Sequence, residues 1–342
     1  MKTIKGVCIG LGYFSKFHLE AWLRLEQVEI TALCDTNLAL AEQTAQRLGI
    51  ASAYSDYNEM LNHEKPDFVD IITPPETHKE LCTIAAQKGI AIICQKPLAP
   101  SLEASEEIAT MISQYGIRMM VHENFRFQPW HREIKKILES KTIGEDLHQI
   151  HWHMRMGDGW QEDAYMNRQP YFREMKKLLM YETGIHLIDV LRFLGGEINN
   201  VFAKLYRYNT NIKGEDAAMV LCDFKNGGTA IIDANRYNES NAQNPRLTFG
   251  ALRIECNKGS IHLQEDARIV IKPLGRPELE HVYRFEDKNF SGDCVYYTQK
   301  HFIEQLHSGK PFENDVLAYL SNIKVLEKVY ESAKKGIPKT IN

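Results

Sequence analysis

The sequence predicts a two-domain α/β protein: a doubly wound parallel sheet in the N-terminal third, followed by an α+β domain built on an antiparallel sheet. Apolar strand-like runs alternate with helical patterns as far as residue 121, and hairpin-spaced strands dominate after residue 146. A glycine-rich turn also joins the first strand to the first helix. The length of 342 residues suggests two domains, which we place at 1–124 and 125–342.

Composition narrows the possible partners. The net charge of −4 and the sequence pI of about 6.4 do not indicate the basic stripe of a nucleic-acid-binding protein. No stretch approaches 18 uninterrupted apolar residues, so we expect no membrane span, and the N-terminus shows no signal-peptide cleavage site. The seven cysteines are scattered without metal-ligand spacing, which predicts reduced thiols, a cytoplasmic location and no metal.

The first strand, residues 4–9, runs into a Gly-Leu-Gly-Tyr-Phe-Ser turn and a helical pattern over 14–25. Gly10 permits a tight turn, and Gly12 lets a pyrophosphate approach the backbone at the positive end of the helix. Ser15 replaces the usual third Gly or Ala. This arrangement predicts a Rossmann dinucleotide site, although a plain strand–turn–helix of another α/β fold would look similar.

A second strand, residues 29–34, ends in Asp35, which lies 25 residues after Gly10. An acidic residue here hydrogen-bonds the adenosine ribose and repels a 2′-phosphate. Thr36 and Asn37 follow, with no arginine to neutralise such a phosphate. We therefore expect NAD rather than NADP. The alternative role of Asp35 is a helix N-cap, and the two roles are compatible.

The alternation then continues through strands 68–73, 90–94 and 117–121 and helices 76–88 and 101–115. Ligands of parallel sheets bind outside the carboxyl ends of the strands. The polar and glycine positions at or just beyond those ends are Gly10, Asp35, Thr73, Lys96 and Asn124.

After residue 124 the pattern changes from alternating to hairpin-spaced. Helix 129–139 precedes a strand at 146–156, and turn signals separate the strands that follow. We place those strands near 199–208, 217–225, 228–236, 246–257, 260–264, 267–272 and 281–285. Two helices, 294–308 and 314–335, end the chain.

A helix predicted at 183–194 is apolar nearly all round and therefore buried. Glu182, His186 and Asp189 fall within about 60° of one another if residue 182 is already helical. A polar stripe on a buried helix is costly unless its groups are paired or face a ligand. One interpretation is a satisfied core network, such as His186 bonded to Asp189, and the other is a binding site.

The whole chain resembles the glucose–fructose oxidoreductase/inositol dehydrogenase (Gfo/Idh/MocA) family. Five segments carry the resemblance: Gly10-Leu11-Gly12, Thr73-Pro74-Pro75, Gln95-Lys96-Pro97, Asn124-Phe125-Arg126-Phe127-Gln128-Pro129 and Glu182-x-Gly184-x-His186-x-x-Asp189. It implies a Rossmann domain with NAD(P), and a second domain with a large, open, mainly antiparallel sheet that serves oligomerisation. The implied substrates are sugars, inositols and related polyols, and the implied assembly is a homodimer or homotetramer.

The resemblance also implies roles for individual residues. His186 would be the catalytic base, Lys96 would stabilise the reacting oxygen, and Glu182 would bind neighbouring hydroxyls or orient the pair. The expected cofactor contacts are Gly10, Gly12, Tyr13, Phe14, Asp35, Thr73, Pro74, His78, Gln95 and Lys96. The expected substrate contacts are Asn124, Arg126, Tyr165, Arg168 and Asp189.

Three positions depart from the family pattern. Gln95 stands where the family has Glu, and because a carboxylate favours the charged form of a nearby amine, we expect Lys96 to be easier to deprotonate. Glu182 replaces the usual Asp, and the glycine cluster before it is absent, since the chain reads Met-Lys-Lys-Leu over 175–178. The wall of the substrate pocket is therefore expected to differ.

Cations and aromatic residues lie between the 146–156 strand and the helix that carries His186. They include Arg155, Tyr165, Arg168, Tyr171, Arg173, Lys176 and Lys177. Such a set could bind a carboxylated sugar, because Arg grips carboxylates through two hydrogen bonds; ordinary surface charge is the alternative.

The leading hypothesis is an NAD-dependent dehydrogenase of a sugar, polyol or sugar acid. A redox-neutral relative with tightly held NAD, which cleaves a glycoside or isomerises its substrate, is a second. A non-catalytic dinucleotide-sensing regulator is a third, and the presence of both Lys96 and His186 counts against it.

Overall fold

The computed structural model describes residues 3–341, and these divide into two compact units. Unit 1 extends to Glu123 and also contains Val295–Ser321, while unit 2 comprises Asn124–Cys294 together with the chain from Asn322 onward. The chain first passes from unit 1 to unit 2 between Glu123 and Asn124, one residue before the predicted boundary. The assignment of all of 125–342 to the second domain is wrong, however, because 295–321 belong to unit 1.

Six parallel strands form the sheet of unit 1, in the order β3-β2-β1-β4-β5-β6. The strands are β1 (Ile4–Ile9), β2 (Val28–Cys34), β3 (Ser52–Tyr54), β4 (Phe68–Ile71), β5 (Ala91–Gln95) and β6 (Met119–His122). The helices between them are α1 (Ser15–Leu23), α2 (Leu38–Leu48), α3 (Tyr57–Glu64), α4 (Pro75–Gln87) and α5 (Leu102–Tyr115). This strand order is that of the doubly wound dinucleotide-binding fold.

Nine strands form the sheet of unit 2, in the order β14-β13-β12-β11-β7-β10-β9-β8-β15. They are β7 (Leu147–Arg155), β8 (Ile198–Tyr206), β9 (Ala217–Phe224), β10 (Thr229–Asn235), β11 (Ala251–Cys256), β12 (Gly259–Leu263), β13 (Ile269–Pro273), β14 (Leu279–His281) and β15 (Lys339–Thr340). The pair β7–β10 is parallel and the other pairs are antiparallel. The sheet is therefore mainly antiparallel, with β7 near its centre.

One face of this sheet is buried and the other is exposed. On β7, Ile150, Trp152 and Met154 are fully buried, and alternate residues on β9 point outward, with Met219 46% and Leu221 41% exposed. Helices α6 (Pro129–Glu139) and α7 (Ile185–Gly195) pack against each other, and α7 also contacts β7. The exposed face thus carries large apolar side chains that α6 and α7 leave uncovered.

The last two helices are α8 (Cys294–Ser308) and α9 (Val316–Lys335), and β15 follows them. Phe302 of α8 lies 5.4 Å from the ring of Phe68 and 6.3 Å from that of Trp22, in the core of unit 1. Arg118 donates hydrogen bonds to the carbonyls of Gln305 and Lys310. These contacts explain why residues 295–321 belong to the parallel-sheet unit.

Most predicted elements are present, with one difference of type and one of position. Residues Leu179–Gly184 form a π-helical segment directly before α7, where the sequence indicated only the start of an α-helix. The strand predicted at 281–285 is wrong, since β14 ends at His281. Within residues 3–341, no helix is both long enough and apolar enough to cross a membrane.

Candidate active site

The glycine-rich turn of unit 1 has the backbone geometry that its two glycines permit. Gly10 has φ +94°, and a Cβ there would lie 2.8 Å from the carbonyl oxygen of Ile72, so only glycine fits. A Cβ added at Gly12 would meet no atom within 4 Å, which leaves open space beside the turn. Ser15 fills the third small-residue position, and its hydroxyl donates to the Gly12 carbonyl at 2.7 Å. A pyrophosphate fits this open backbone at the N-terminus of α1.

Asp35 is anchored to the same turn. One carboxylate oxygen accepts from the backbone N–H of Leu11 at 2.8 Å, and the other accepts from that of Asn37 at 2.9 Å. Each oxygen keeps a second lone pair for a ribose hydroxyl. The alternative role of Asp35 as the N-cap of α2 is wrong, because Asn37 occupies that position and accepts from Leu40.

The segment after β4 places Thr73 at the ligand edge and His78 beneath it. A Cβ at Gly10 would lie 2.8 Å from Cγ2 of Thr73, so the two loops are adjacent. His78 is fully buried, and its ring nitrogens face the carbonyls of Thr73 at 2.8 Å and Leu98 at 3.0 Å. Burial lowers the pKa of His78. The prediction that His78 touches the cofactor is therefore corrected: its ring ties two loops together. Pro74 is exposed as the residue before α4.

Lys96 follows the last residue of β5, and its peptide bond to Pro97 is cis. Gln95 is 8% exposed and turns inward, where its side-chain oxygen accepts from the backbone N–H of Lys96 at 2.7 Å. The prediction that Gln95 contacts the cofactor does not fit this inward orientation. Tyr13, by contrast, is 43% exposed, and Phe14 is partly exposed beside the turn.

In unit 2, the ring of His186 is stacked on that of Phe125, with centroids 4.1 Å apart and an interplanar angle of 8°. His186 is 6% exposed on α7. Asn124 is 2% exposed, and its side-chain oxygen has no hydrogen-bond partner among the described residues. A buried acceptor of this kind needs a partner, such as a water or a ligand hydroxyl.

Arg126 and Asp189 bind each other. The guanidinium donates from Nε at 2.8 Å and from Nη2 at 2.6 Å to the two carboxylate oxygens, a bidentate pair. Asn322 of α9 donates to the same carboxylate at 2.7 Å, and Asp189 is fully buried. The prediction that Asp189 contacts substrate is therefore corrected, because this carboxylate fixes α7 one turn after His186.

Glu182 lies in the π-helical segment and is partly exposed. The shared face predicted for residues 182, 186 and 189 assumes α-helical geometry, which does not hold before Ile185. Burial and the negative charge of Glu182 raise the pKa of Tyr171 to about 12. The charge of Glu182 also contributes to a raised pKa of Arg236.

Three arginines converge on Asp158 beside this segment. Its oxygens accept from Arg236 at 2.6 Å, Arg246 at 2.5 Å and Arg168 at 3.4 Å. Burial alone would lower the pKa of Arg236, but the Asp158 carboxylate outweighs this and raises it, with a smaller contribution from Glu182. One carboxylate, that of Asp158, thus binds three guanidinium groups.

The residues of this arginine cluster come from distant parts of the chain. Arg236 is 5% exposed in its side chain and also donates to the hydroxyl of Thr183 at 3.0 Å. The ring of Tyr165 lies 5.4 Å from the Arg236 guanidinium. Sequence reasoning singled out Arg168 and Tyr165 but missed Arg236 and Arg246, because nothing local marks an arginine 78 or 88 residues from its partner.

Two family models match the chain. One, described as an oxidoreductase family with an NAD-binding Rossmann fold, covers residues 4–123, and the Gfo/Idh/MocA C-terminal domain covers residues 131–262.

Similarity over nearly the whole chain extends to two relatives and to a solved structure. The chain is 32% identical to the D-apiose dehydrogenase of Paraburkholderia graminis, over 98% of this chain and 89% of that protein. It is 31% identical to the D-apiose dehydrogenase of Rhizobium rhizogenes, over 98% and 97%. The crystal structure of an Agrobacterium radiobacter oxidoreductase in complex with NAD⁺, L-tartaric acid and magnesium superimposes with a TM-score of 0.92, 28% identity and 99% coverage of both chains.

Proposed function

The chain belongs to the Gfo/Idh/MocA family of oxidoreductases with an NAD-binding Rossmann fold, and from this premise we propose that it oxidises a hydroxyl of a small aldose related to D-apiose. The observation that carries the proposal is the full-length similarity to two D-apiose dehydrogenases. The sequence also retains both the Lys96 and the His186 motifs that such chemistry requires.

The nucleotide-binding residues of unit 1 fit NAD. The open space at Gly12 and the N-terminus of α1 would take the pyrophosphate, and Asp35 would accept from the ribose hydroxyls. When bound, NAD supplies the acceptor for the hydride that leaves the substrate carbon. The protein supplies the position of the nucleotide and the removal of the hydroxyl proton.

In the proposed mechanism, Lys96 and His186 act on one substrate hydroxyl. The neutral imidazole of His186 would accept the hydroxyl proton, a role that typically contributes about 10²–10⁴ in rate. The Lys96 ammonium would donate a hydrogen bond to the same oxygen and stabilise its developing negative charge. Glu182, half-buried in the π-helical segment, would accept from neighbouring hydroxyls.

The surroundings of His186 suit a positioned base. Its ring is stacked on Phe125, and the Arg126–Asp189 pair holds the following turn of α7. Pre-organisation of this kind limits the reorganisation needed at the moment of reaction. Asn124 keeps a buried acceptor that a substrate hydroxyl could satisfy.

A second candidate substrate is a hydroxy acid or sugar acid. The arginine cluster around Asp158 brings three guanidinium groups together, and the charge of Glu182 contributes to the raised pKa of Arg236. Arg246 and Arg168 are partly exposed, so a carboxylate could engage them. The Agrobacterium radiobacter neighbour was crystallised with L-tartaric acid.

The test is NADH formation by the purified protein with NAD⁺ and a panel of D-apiose, other aldoses, inositols, aldonates and L-tartrate. We expect the highest kcat/KM with D-apiose or a closely related aldose. If the kcat/KM for an acid is more than tenfold higher than that for every neutral sugar, the second candidate is favoured. Substrate conversion without NADH release would favour the redox-neutral hypothesis, and NAD binding without turnover of any compound would favour the regulator.

The exposed face of the nine-stranded sheet bears on the assembly of the protein. We propose a cytoplasmic homodimer or homotetramer assembled through the exposed face of the nine-stranded sheet. The large apolar side chains on that face, Met219 and Leu221 among them, support this assembly.

A further inference from the structure

A buried chain of hydrogen bonds in unit 1 connects the carboxylate of Asp70 to the backbone of Lys96. Nδ1 of His18 lies 2.8 Å from Oδ2 of Asp70, and Nε2 of the same ring lies 3.0 Å from Nε2 of Gln95. The side-chain oxygen of Gln95 accepts from the Lys96 N–H at 2.7 Å. Asp70 and His18 are fully buried and Gln95 is 8% exposed, so solvent does not compete for these bonds.

Only one arrangement of protons satisfies the donors and acceptors in this series of hydrogen bonds. A backbone N–H can only donate, so the Gln95 atom that faces Lys96 is the carbonyl oxygen. The amide NH₂ of Gln95 therefore faces His18, and because an NH₂ group only donates, Nε2 of His18 must carry the lone pair. The ring proton then lies on Nδ1 and is donated to Asp70. His18 is consequently neutral.

The groups packed around His18 are consistent with a neutral ring. The ring of His122 on β6 lies against it, with centroids 4.0 Å apart and an interplanar angle of 30°, and Phe14 meets it edge-on at 5.6 Å. Trp22 donates to the same Asp70 oxygen at 2.6 Å. Burial raises the pKa of both Cys8 and Cys94, which lie near Asp70, so these thiols are uncharged. Asp70 is thus the acidic group that faces the ring.

We propose that Asp70, His18 and Gln95 act as positioning residues that hold Lys96 at the end of β5, and that the amide of Gln95 keeps His18 neutral. The catalytic consequence rests on the proposed function of Lys96, whereas the protonation of His18 does not. An ionised glutamate at position 95, the residue type of the family motif, could accept from Lys96 but could not donate to Nε2. His18 would then have to carry a second proton, between two carboxylates.

The first test measures the protonation of His18 without any activity assay. In protein labelled with ¹⁵N-histidine at pH 7, we expect His18 to show a protonated Nδ1 and an unprotonated Nε2. In Gln95→Glu, both nitrogens should be protonated. Gln87→Glu adds the same charge on the exposed end of α4 and should leave the His18 signals unchanged. A wild-type ring protonated at Nε2, or a Gln95→Glu ring that keeps its neutral form, would overturn the proposal.

The second test measures positioning. Gln95→Leu removes the acceptor for Lys96, so kcat should fall about 10- to 100-fold, the scale of a small misplacement of a reacting group. KM for NAD⁺ should stay within about threefold, since the Gly10–Gly12 turn is untouched. Gln95→Glu retains the acceptor and should keep kcat within a few-fold of wild type.

The two tests distinguish a failure of the positioning role of Gln95 from a failure of the proposed catalytic role of Lys96. If Gln95→Leu folds and has the kcat of the wild type, the positioning role is contradicted. If Gln95→Leu does not fold, a large loss of kcat in Gln95→Glu would contradict the positioning role instead. If Lys96→Met retains full turnover while the His18 signals are as expected, the proposed function fails and the assigned protonation stands.

Discussion

Replacing Asp35 by alanine should change the choice between NAD⁺ and NADP⁺. The carboxylate is held by the N–H groups of Leu11 and Asn37, so its position at the end of β2 is fixed before any nucleotide arrives. A ribose hydroxyl that donates to it makes a charge-assisted hydrogen bond, which contributes about 1.5–3 kcal/mol. We therefore expect Asp35→Ala to lower kcat/KM for NAD⁺ about 10- to 100-fold.

The same carboxylate should repel the additional phosphate of NADP⁺. Two unit charges about 5 Å apart interact by roughly 1 kcal/mol in water and roughly 3 kcal/mol at an effective dielectric constant of about 20. Because Asp35 is partly exposed, the lower part of that range applies. Removing its charge should therefore raise kcat/KM for NADP⁺ about tenfold. The NAD⁺/NADP⁺ ratio of kcat/KM should thus fall by about 100-fold or more in total.

Steady-state kinetics with both cofactors at a saturating concentration of an accepted substrate test this prediction. Asp56→Ala is a matched control, because Asp56 caps α3 by accepting from Glu59 at 2.8 Å and also follows a strand of the same sheet. The control should lose about 1 kcal/mol of stability and keep its cofactor ratio. A ratio that stays within twofold of wild type in Asp35→Ala would refute the assignment of Asp35.

Three further predictions concern stability and assembly. Asp158→Asn should destabilise the protein by about 3 kcal/mol in urea unfolding, because Arg236, 5% exposed, loses its carboxylate; an unchanged midpoint would contradict this. Burial lowers the pKa of His131 to about 4. The folded state therefore keeps this ring neutral while the unfolded state binds a proton below about pH 6.5, so stability should fall between pH 6.5 and 4 by up to about 1.4 kcal/mol per pH unit. The decrease in stability per pH unit should be smaller in His131→Gln than in the wild type. Equal decreases in the two proteins would show that other groups determine this pH dependence. Light scattering should find an assembly larger than the 39.4 kDa chain, which should weaken in Leu221→Lys; a monomer at micromolar concentration would exclude the proposed interface.

The sequence predicts the parallel-sheet unit well because its signals are local. The turn around Gly10, the acidic residue after β2 and the alternation of apolar runs each depend on neighbours in the chain. The position of Lys96 at a strand end follows from the same alternation. The prediction fails for residues 295–321, because the packing of Phe302 on Phe68 is a contact across more than 200 residues that no local pattern encodes.

The candidate site is harder to predict where residues bind one another rather than a ligand. Asp189 and Arg126 fit a substrate site by residue type, yet they form a bidentate pair across 63 residues. His78 is at the ligand edge in sequence, but its ring lies beneath the loops and faces two carbonyls. Periodicity also misses the π-helical segment at Glu182, because it assumes a constant angle per residue.

The most direct test of the proposed mechanism is a double-mutant cycle on Lys96 and His186, measured as kcat with a verified substrate and saturating NAD⁺. Lys96→Met and His186→Asn should each lower kcat by about 100-fold or more while the affinity for NAD⁺ remains nearly unchanged. Because both groups are proposed to act on one oxygen, the double mutant should be little slower than the slower single mutant. Lys79→Met, which removes an exposed lysine of α4, is the control for loss of a charge. Near-wild-type turnover in Lys96→Met, or fully additive losses in the double mutant, would contradict the proposed mechanism.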